Sequence, residues 1–268
     1  MKRLIIATLL LAAPFVAAKP SVWLYDETSG QAVVTRNADE QRPIASITKL
    51  MTAIVTLSHD NDLNRKIAVP RGSHLPQGWH TRREVLTAML VKSDNIAAVA
   101  LAQDYPTGIS GFIAKMNTTA TDMRLYQTQF VDPNGLGRGN VSTASEVAEM
   151  VRVATLIPAI REISTSPVVT VERTVKTRKK KTRTQLVHLP NTNTMLLNEF
   201  KETVVSKTGY TNPAGFCVAM AIEKDRHRIM VVVLGARDKS NRFKITKQAV
   251  GDYLRDLEVR RPNGLRRA

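Results

Sequence analysis

Cysteine is almost absent. Cys217 stands alone among 268 residues, so no intramolecular disulfide can form and a Cys-rich zinc or redox centre is excluded. The five histidines (His59, His74, His80, His188 and His227) show no H-E-x-x-H spacing, which leaves no recognisable metal-ligand set. There is no G-x-S-x-G elbow and no phosphate-binding glycine loop. Neither a metal nor an organic cofactor is expected. Acidic residues are scarce as well: 23 against 39 Lys and Arg, a formal charge of +16, which favours anionic partners without bearing on the fold. Hydrophobic residues are 43% and charged residues 23% of the chain, proportions that exclude collagen-like, low-complexity and wholly disordered chains.

Long apolar runs are confined to the N-terminus. Lys2 and Arg3, the stretch Leu4 to Ala13 and the small residues Val16-Ala17-Ala18 have the layout of a secretory signal. Pro14 and Lys19 interrupt the run short of the ~20 residues a membrane-spanning helix needs. Residues 1–18 are therefore expected to be an address, and 19–268 a secreted, periplasmic domain with no stable membrane span.

Ser21 to Asp26 and Gln31 to Arg36 flank Thr28-Ser29-Gly30 and predict a β-hairpin. From Ser46 the period changes: Ile47, Leu50, Met51, Ile54 and Val55 fall on one helical stripe. Thr81 with Glu84, and Thr143 with Glu146, are capping-box pairs that open helices through Leu90 and about Leu156. Ile96 to Ala102 predicts a short helix between them. Strands return at Pro167 to Val171, Thr203 to Ser206, Phe216 to Ile222 and Arg228 to Leu234, and Phe243 to Leu257 closes the chain as a helix. This order predicts an α+β fold: an antiparallel sheet built from both chain ends, flanked by helices, with a mainly helical lobe inserted over about 58–165.

Three short motifs occur once each and in order: Ser46-Ile47-Thr48-Lys49, Ser93-Asp94-Asn95 and Lys207-Thr208-Gly209. Singly each has a plain structural reading: a capping serine with a solvated lysine, a helix break, a strand-end turn. Together they make chemical sense. Lys49 shares a helix face with Ser46 and can take its proton, provided that burial and a second cation, Lys207, lower its pKa. The helix start favours negative charge on the Ser46 oxygen. Gly209 is expected to let a substrate backbone approach closely, and Lys207, Thr208 and Thr211 to hold a carboxylate. Asp94 is read as a cap.

S-x-x-K, S-D-N and K-T-G form the signature that the penicillin-binding proteins share with the serine β-lactamases. The resemblance extends to Arg42-Pro43-Ile44-Ala45, Phe130-Val131-Asp132-Pro133-Asn134-Gly135-Leu136, Tyr105-Pro106 and Lys207-Thr208-Gly209-Tyr210-Thr211. On these the chain resembles the D,D-peptidase branch, and within it the penicillin-binding protein 7 type D-alanyl-D-alanine endopeptidases. The resemblance implies a β-lactamase/transpeptidase-like fold and an acyl-enzyme on Ser46, with Lys49 as base and Ser93 as proton relay. It gives Asn95 a substrate amide to bind and makes an oxyanion hole of the Ser46 and Tyr210 N–H groups. The implied partners are peptidoglycan peptides as substrates and β-lactams as covalent inhibitors. Only 59 residues follow Gly209, which favours endopeptidase over carboxypeptidase. A β-lactamase is disfavoured by the absence of an E-x-x-L-N segment, and a non-catalytic cell-wall-binding protein by the intact Lys49.

Arg173 to Arg183 carries seven positive charges in eleven residues. Its flanks, Val168 to Val171 and Gln185 to Val187, could pair as a hairpin. The stretch is either a solvated loop or an electrostatic tether to an anionic surface, to which the basic tail Arg260, Arg261, Arg266, Arg267 could add.

Overall fold

The computed structural model describes residues 19–176 and 182–260. The N-terminal signal-like segment, the centre of the basic stretch and the tail beyond Arg260 lie outside the described residues. Strands β1 (Ser21–Asp26) and β2 (Gln31–Arg36) form the expected hairpin, closed by Gly30 at φ +69°. A two-residue strand β3 (Arg42–Pro43) leads into a 3₁₀ turn, Ala45–Ile47, that runs directly into helix α1 (Thr48–His59). Every residue of α1 from Thr48 to Leu57 is buried. It is therefore a central core helix, apolar on nearly all sides.

A small hairpin, β4 (Lys66–Val69) with β5 (Gly78–Thr81), then precedes α2 (Arg82–Val91), α3 (Asn95–Gln103) and α4 (Gly108–Asp122). The Thr81–Glu84 capping box opens α2 with both reciprocal hydrogen bonds made. Next come β6 (Val141–Ser142), which pairs with β3, and α5 (Ala144–Thr155), capped by the Thr143 hydroxyl accepting from the Glu146 N–H. The reciprocal bond of the expected box is not made, because the Glu146 carboxylate accepts instead from the Gln127 N–H and the Thr128 hydroxyl. Then follow α6 (Pro158–Ser164), β7 (Val168–Lys176), β8 (Thr182–Pro190), α7 (Thr194–Glu199), β9 (Thr203–Thr211), β10 (Gly215–Lys224), β11 (His227–Ala236) and α8 (Lys239–Arg260). Strands β7 and β8 pair in antiparallel register from Val168↔Pro190 to Lys176↔Thr182, so the flanks of the basic stretch do form a hairpin.

The main sheet is antiparallel with order β2-β1-β11-β10-β9. Both chain ends supply it: Ser21 of the first strand pairs with Leu234 of the last. Its central strands read as unbroken apolar runs because both faces are covered. Ala219, Ala221, Met230 and Val232 face the helical core, while Val218, Met220, Val231 and Val233 pack in a second cluster with Val250 and Tyr253 of α8. Cys217 belongs to the first of these faces, and burial pushes its thiol up to about 11, as suits a small core residue.

Two expectations need correction. The strand at Thr203 does not stop at Ser206 but continues through Thr211, so Lys207-Thr208-Gly209 lies within a strand and not at its end. The β4–β5 hairpin falls in a region expected to be mainly helical. Its four-residue strands are too short to show a period against their helical neighbours.

Candidate active site

Three elements meet at the cleft: the 3₁₀ turn at the head of α1, the α2–α3 junction and the edge strand β9. Ser46 sits in the turn immediately after Ala45, which is held at φ +46°, a conformation uncommon for a residue with a side chain. Lys49 follows on the first turn of α1. It is fully buried, and its Nζ donates to Ser46 Oγ at 2.8 Å, Asn95 Oδ1 at 2.8 Å and the Asn134 carbonyl at 2.5 Å. Burial lowers its pKa to about 7, against the opposing pull of the Asp132 and Asp94 carboxylates. A lysine with that pKa is available as a base at neutral pH.

Ser93 stands between α2 and α3 at φ +61°, and Asn95 is the first residue of α3. Asp94 is buried between them and caps α3. Its Oδ1 accepts from the Ile96 and Ala97 N–H groups, and its Oδ2 from the Ser73 hydroxyl and the His74 N–H. The motif thus splits into a structural centre and two flanking residues that face the cleft.

Lys207 is buried on β9. Its Nζ donates to Ser93 Oγ at 3.0 Å and to the Thr208 carbonyl at 2.9 Å. Burial, with repulsion from Lys49 added, holds its pKa well below the usual lysine value. Burial is the largest cause of the lowering of Lys49, and the mutual repulsion of the two amines acts in the direction expected of Lys207. A substrate carboxylate arriving beside Lys207 would restore its charge by supplying the missing counterion. Thr208 donates its hydroxyl hydrogen bond to Thr192 Oγ1, and Thr211 Oγ1 accepts from the Ala214 N–H and shapes the β9–β10 turn.

Among the described residues β9 pairs with β10 alone, so no strand covers its outer edge. The Ser206 N–H points off that edge, to Ser164 Oγ. Alternation along the strand puts the Tyr210 N–H on the same side. Gly209 backs onto the turn that carries Ser46: a Cβ there would come within 3.0 Å of the Ile44 carbonyl oxygen and of the Ser46 nitrogen. The glycine was expected to admit a substrate backbone. The close approach that Gly209 permits here is to the protein's own backbone, and it sets the turn bearing Ser46 against β9.

Sequence reasoning assigned no role to Asp132, Asn134 or Gly135. Asp132 accepts from the Asn134, Gly135 and Gly137 N–H groups at 3.0, 2.6 and 2.6 Å, winding a tight turn, and the Thr52 hydroxyl fastens the Pro133 carbonyl to α1. The turn aims the Asn134 carbonyl at Lys49 Nζ. The available signal was Asp-x-Asn-Gly, a turn-forming string; the function of a backbone oxygen has no signature of its own. Gly135, at φ +82°, has no room for a side chain, since a Cβ would fall 2.0 Å from the Ala45 carbonyl oxygen. Gly135→Ala is expected to destabilise the protein by roughly 3 kcal/mol or more, because only backbone atoms could yield. Gly30→Ala serves as the control: its φ is +69° but open space surrounds it, so the loss there is about 1 kcal/mol. Urea midpoints of the two variants measure the difference.

A serine hydroxyl held against a buried amine, on a turn packed against a strand at the sheet edge, defines a serine hydrolase of the acyl-transfer class that uses lysine in place of histidine. The family model described as D-alanyl-D-alanine carboxypeptidase, peptidase S11, matches residues 10–74 and 72–238, and the chain belongs to that family. It is 34% identical over 236 residues to a D-alanyl-D-alanine endopeptidase of Pseudomonas aeruginosa, covering 84% of this chain and 74% of the relative. It is 32% identical to the Escherichia coli protein of the same name, with the same coverage. Among solved structures the Streptomyces K15 DD-transpeptidase superimposes with a TM-score of 0.77 at 27% identity, over 91% of this chain and 98% of that one. Penicillin-binding protein D2 of Listeria monocytogenes, in its cefotaxime-bound form, gives 0.72 at 28%, over 86% and 95%. The expected α+β, transpeptidase-like fold is thus the observed one.

Proposed function

We propose that this protein is a secreted serine D,D-peptidase that cuts the peptide cross-links of peptidoglycan, with β-lactams as its covalent inhibitors. The observation that carries the reading is Lys49: a fully buried amine, 2.8 Å from the Ser46 hydroxyl, with a pKa of about 7.

Ser46 Oγ attacks the carbonyl carbon of a D-Ala residue while its proton passes to neutral Lys49. The carbonyl oxygen becomes an oxyanion on the Ser46 and Tyr210 N–H groups. As the C–N bond breaks, the leaving amine takes a proton from Lys49 through the Ser93 hydroxyl, which Lys207 holds in place. Water then attacks the ester, giving its proton to Lys49 and restoring the Ser46 hydroxyl. The peptide lies extended along the open edge of β9, with its amide on Asn95 and its carboxylate on Lys207, Thr208 and Thr211.

The names of the two relatives above favour the endopeptidase over the carboxypeptidase. Slow release of a bound β-lactam is expected as well. Asp132, the carboxylate of the Phe130–Leu136 segment, is committed to three backbone N–H groups and is not free to activate a deacylating water. A charge-seeking role for the basic hairpin fits the same reading: carboxylates of the cell wall are an anionic surface, and the binding would weaken with salt. Purified cross-linked muropeptides test the proposal. The expected outcome is conversion of dimers to monomers, blocked by penicillin, without release of free D-alanine. Release of D-alanine from monomers would make the protein a carboxypeptidase, and rapid turnover of the penicillin would make it a β-lactamase.

A further inference from the structure

Beside the cleft, on the far side of α3, lies a groove of about 520 Å³ between that helix and the β4–β5 hairpin. Its outstanding feature is Trp79, which is 70% exposed. An indole this open presents a broad, flat aromatic face to solvent. Its partner across the hairpin is Ala68, too small to shield the ring. The floor is aliphatic and the rim carries the amides of Gln77 and Gln103. Asp104 is the one charged lining residue, and Arg65 neutralises it at 2.8 Å. The groove therefore offers a flat aromatic face, neutral hydrogen-bonding groups and one cation at its rim, Arg71, which donates to Gln77.

That combination suits a saccharide. The C–H face of a pyranose lies on the negative face of an indole ring, and its hydroxyl and acetamido edges match side-chain amides. It does not suit the peptide portion of a cell-wall substrate, whose carboxylates are drawn to Lys207. The position agrees. Gln103 ends the same helix that Asn95 begins, ~12 Å further along at 1.5 Å per residue. The loop between β4 and β5 joins the two places physically: Gln77 accepts from Arg71 at its outer end, and Ser73 and His74 donate to Asp94 at its inner end.

We propose that the Trp79 groove is a saccharide-binding subsite that holds the glycan strand of the substrate while a peptide attached to it occupies the Ser46 cleft. The proposal rests on the peptidoglycan reading for its substrate, but it is tested separately from it. The chain has two tryptophans, and Trp23 is partly buried and stacked on Tyr25, so emission changes on adding sugar report chiefly on Trp79. Glycan strands stripped of peptide by an amidase, and chitotetraose as a defined probe, are titrated into the full protein. A saturable emission change is expected. By calorimetry Trp79→Ala should bind at least tenfold more weakly, with Trp79→Phe in between. Acylation by a labelled penicillin should be equal in all three proteins. On intact sacculi Trp79→Ala should need about tenfold more substrate for half-maximal rate, with cleavage of a sugar-free cross-linked peptide unchanged. Wild type that acylates but binds neither sugar probe, or Trp79→Ala that binds them equally well, overturns the subsite and leaves the peptidase intact. Sugar binding lost in Trp79→Ala, in a protein that fails to acylate, supports the subsite and removes the peptidase reading.

Discussion

Ser46→Ala is expected to abolish covalent labelling by a fluorescent penicillin and to reduce peptide cleavage by about 10⁴-fold or more, on the scale seen when the nucleophile of a serine hydrolase is removed. The competing nucleophile in the cleft is Ser93, and the geometry separates the two. Ser46 Oγ is the hydroxyl that Lys49 touches, on the turn that packs against Gly209 of β9. Ser93 Oγ lies against Lys207, an amine held by burial and by its hydrogen bond to the Thr208 carbonyl. Ser93→Ala should therefore slow labelling without eliminating it, since the relay to the leaving group is lost while the attacking group remains. Labelling that survives in Ser46→Ala and vanishes in Ser93→Ala would reverse the assignment. Circular dichroism and a urea midpoint near that of the wild type guard against misfolding as the cause.

Much of this arrangement could be read along the chain. The first hairpin has the bounds its alternation predicts, and Thr81 and Thr143 open their helices as capping residues should. Both signals are local, and local physics decides them. The three motifs at the cleft stood out because their residue types and order are specific together. What resisted reading is non-local. Whether Lys49 is buried depends on α1 being surrounded on every side, which no window of sequence reveals. The reason for Gly209 lies in a turn more than 160 positions away, at Ile44 and Ser46. The Asn134 carbonyl is a backbone atom, and its aim is set by Asp132 and by a hydroxyl on α1. The left-handed conformations of Ala45 and Ser93 are imposed by packing at the cleft, where a sequence acting alone would place glycine.

Lys49→Arg is expected to lower acylation by roughly 10²–10⁴-fold, the usual contribution of a general base, and to remove its pH dependence. Wild-type acylation should rise through about pH 7, where the buried amine loses its proton, and fall near tenfold per unit below that. Arginine keeps the charge and cannot yield the proton at any working pH, so the residual rate of the variant should lack that inflection. A companion change, Lys49→Met, separates catalysis from stability. The folded pKa, about 7, lies below the ordinary lysine value of 10.5, so between those values the unfolded chain binds more protons and wild-type stability rises with pH. Below pH 7 the burden of the buried charge is fully present, on the order of 5 kcal/mol at ~1.4 kcal/mol per unit. Methionine removes that burden but leaves the Asn95 and Asn134 oxygens without their donor, which costs roughly 2–6 kcal/mol for the two. The variant should therefore be inactive, and its stability relative to wild type should fall by about 3 kcal/mol between pH 6 and pH 9.5, as wild-type Lys49 loses its buried charge. Urea midpoints at the two pH values decide it: a difference that does not change with pH would mean that Lys49 is not a buried amine of lowered pKa, and the base would have to be sought elsewhere.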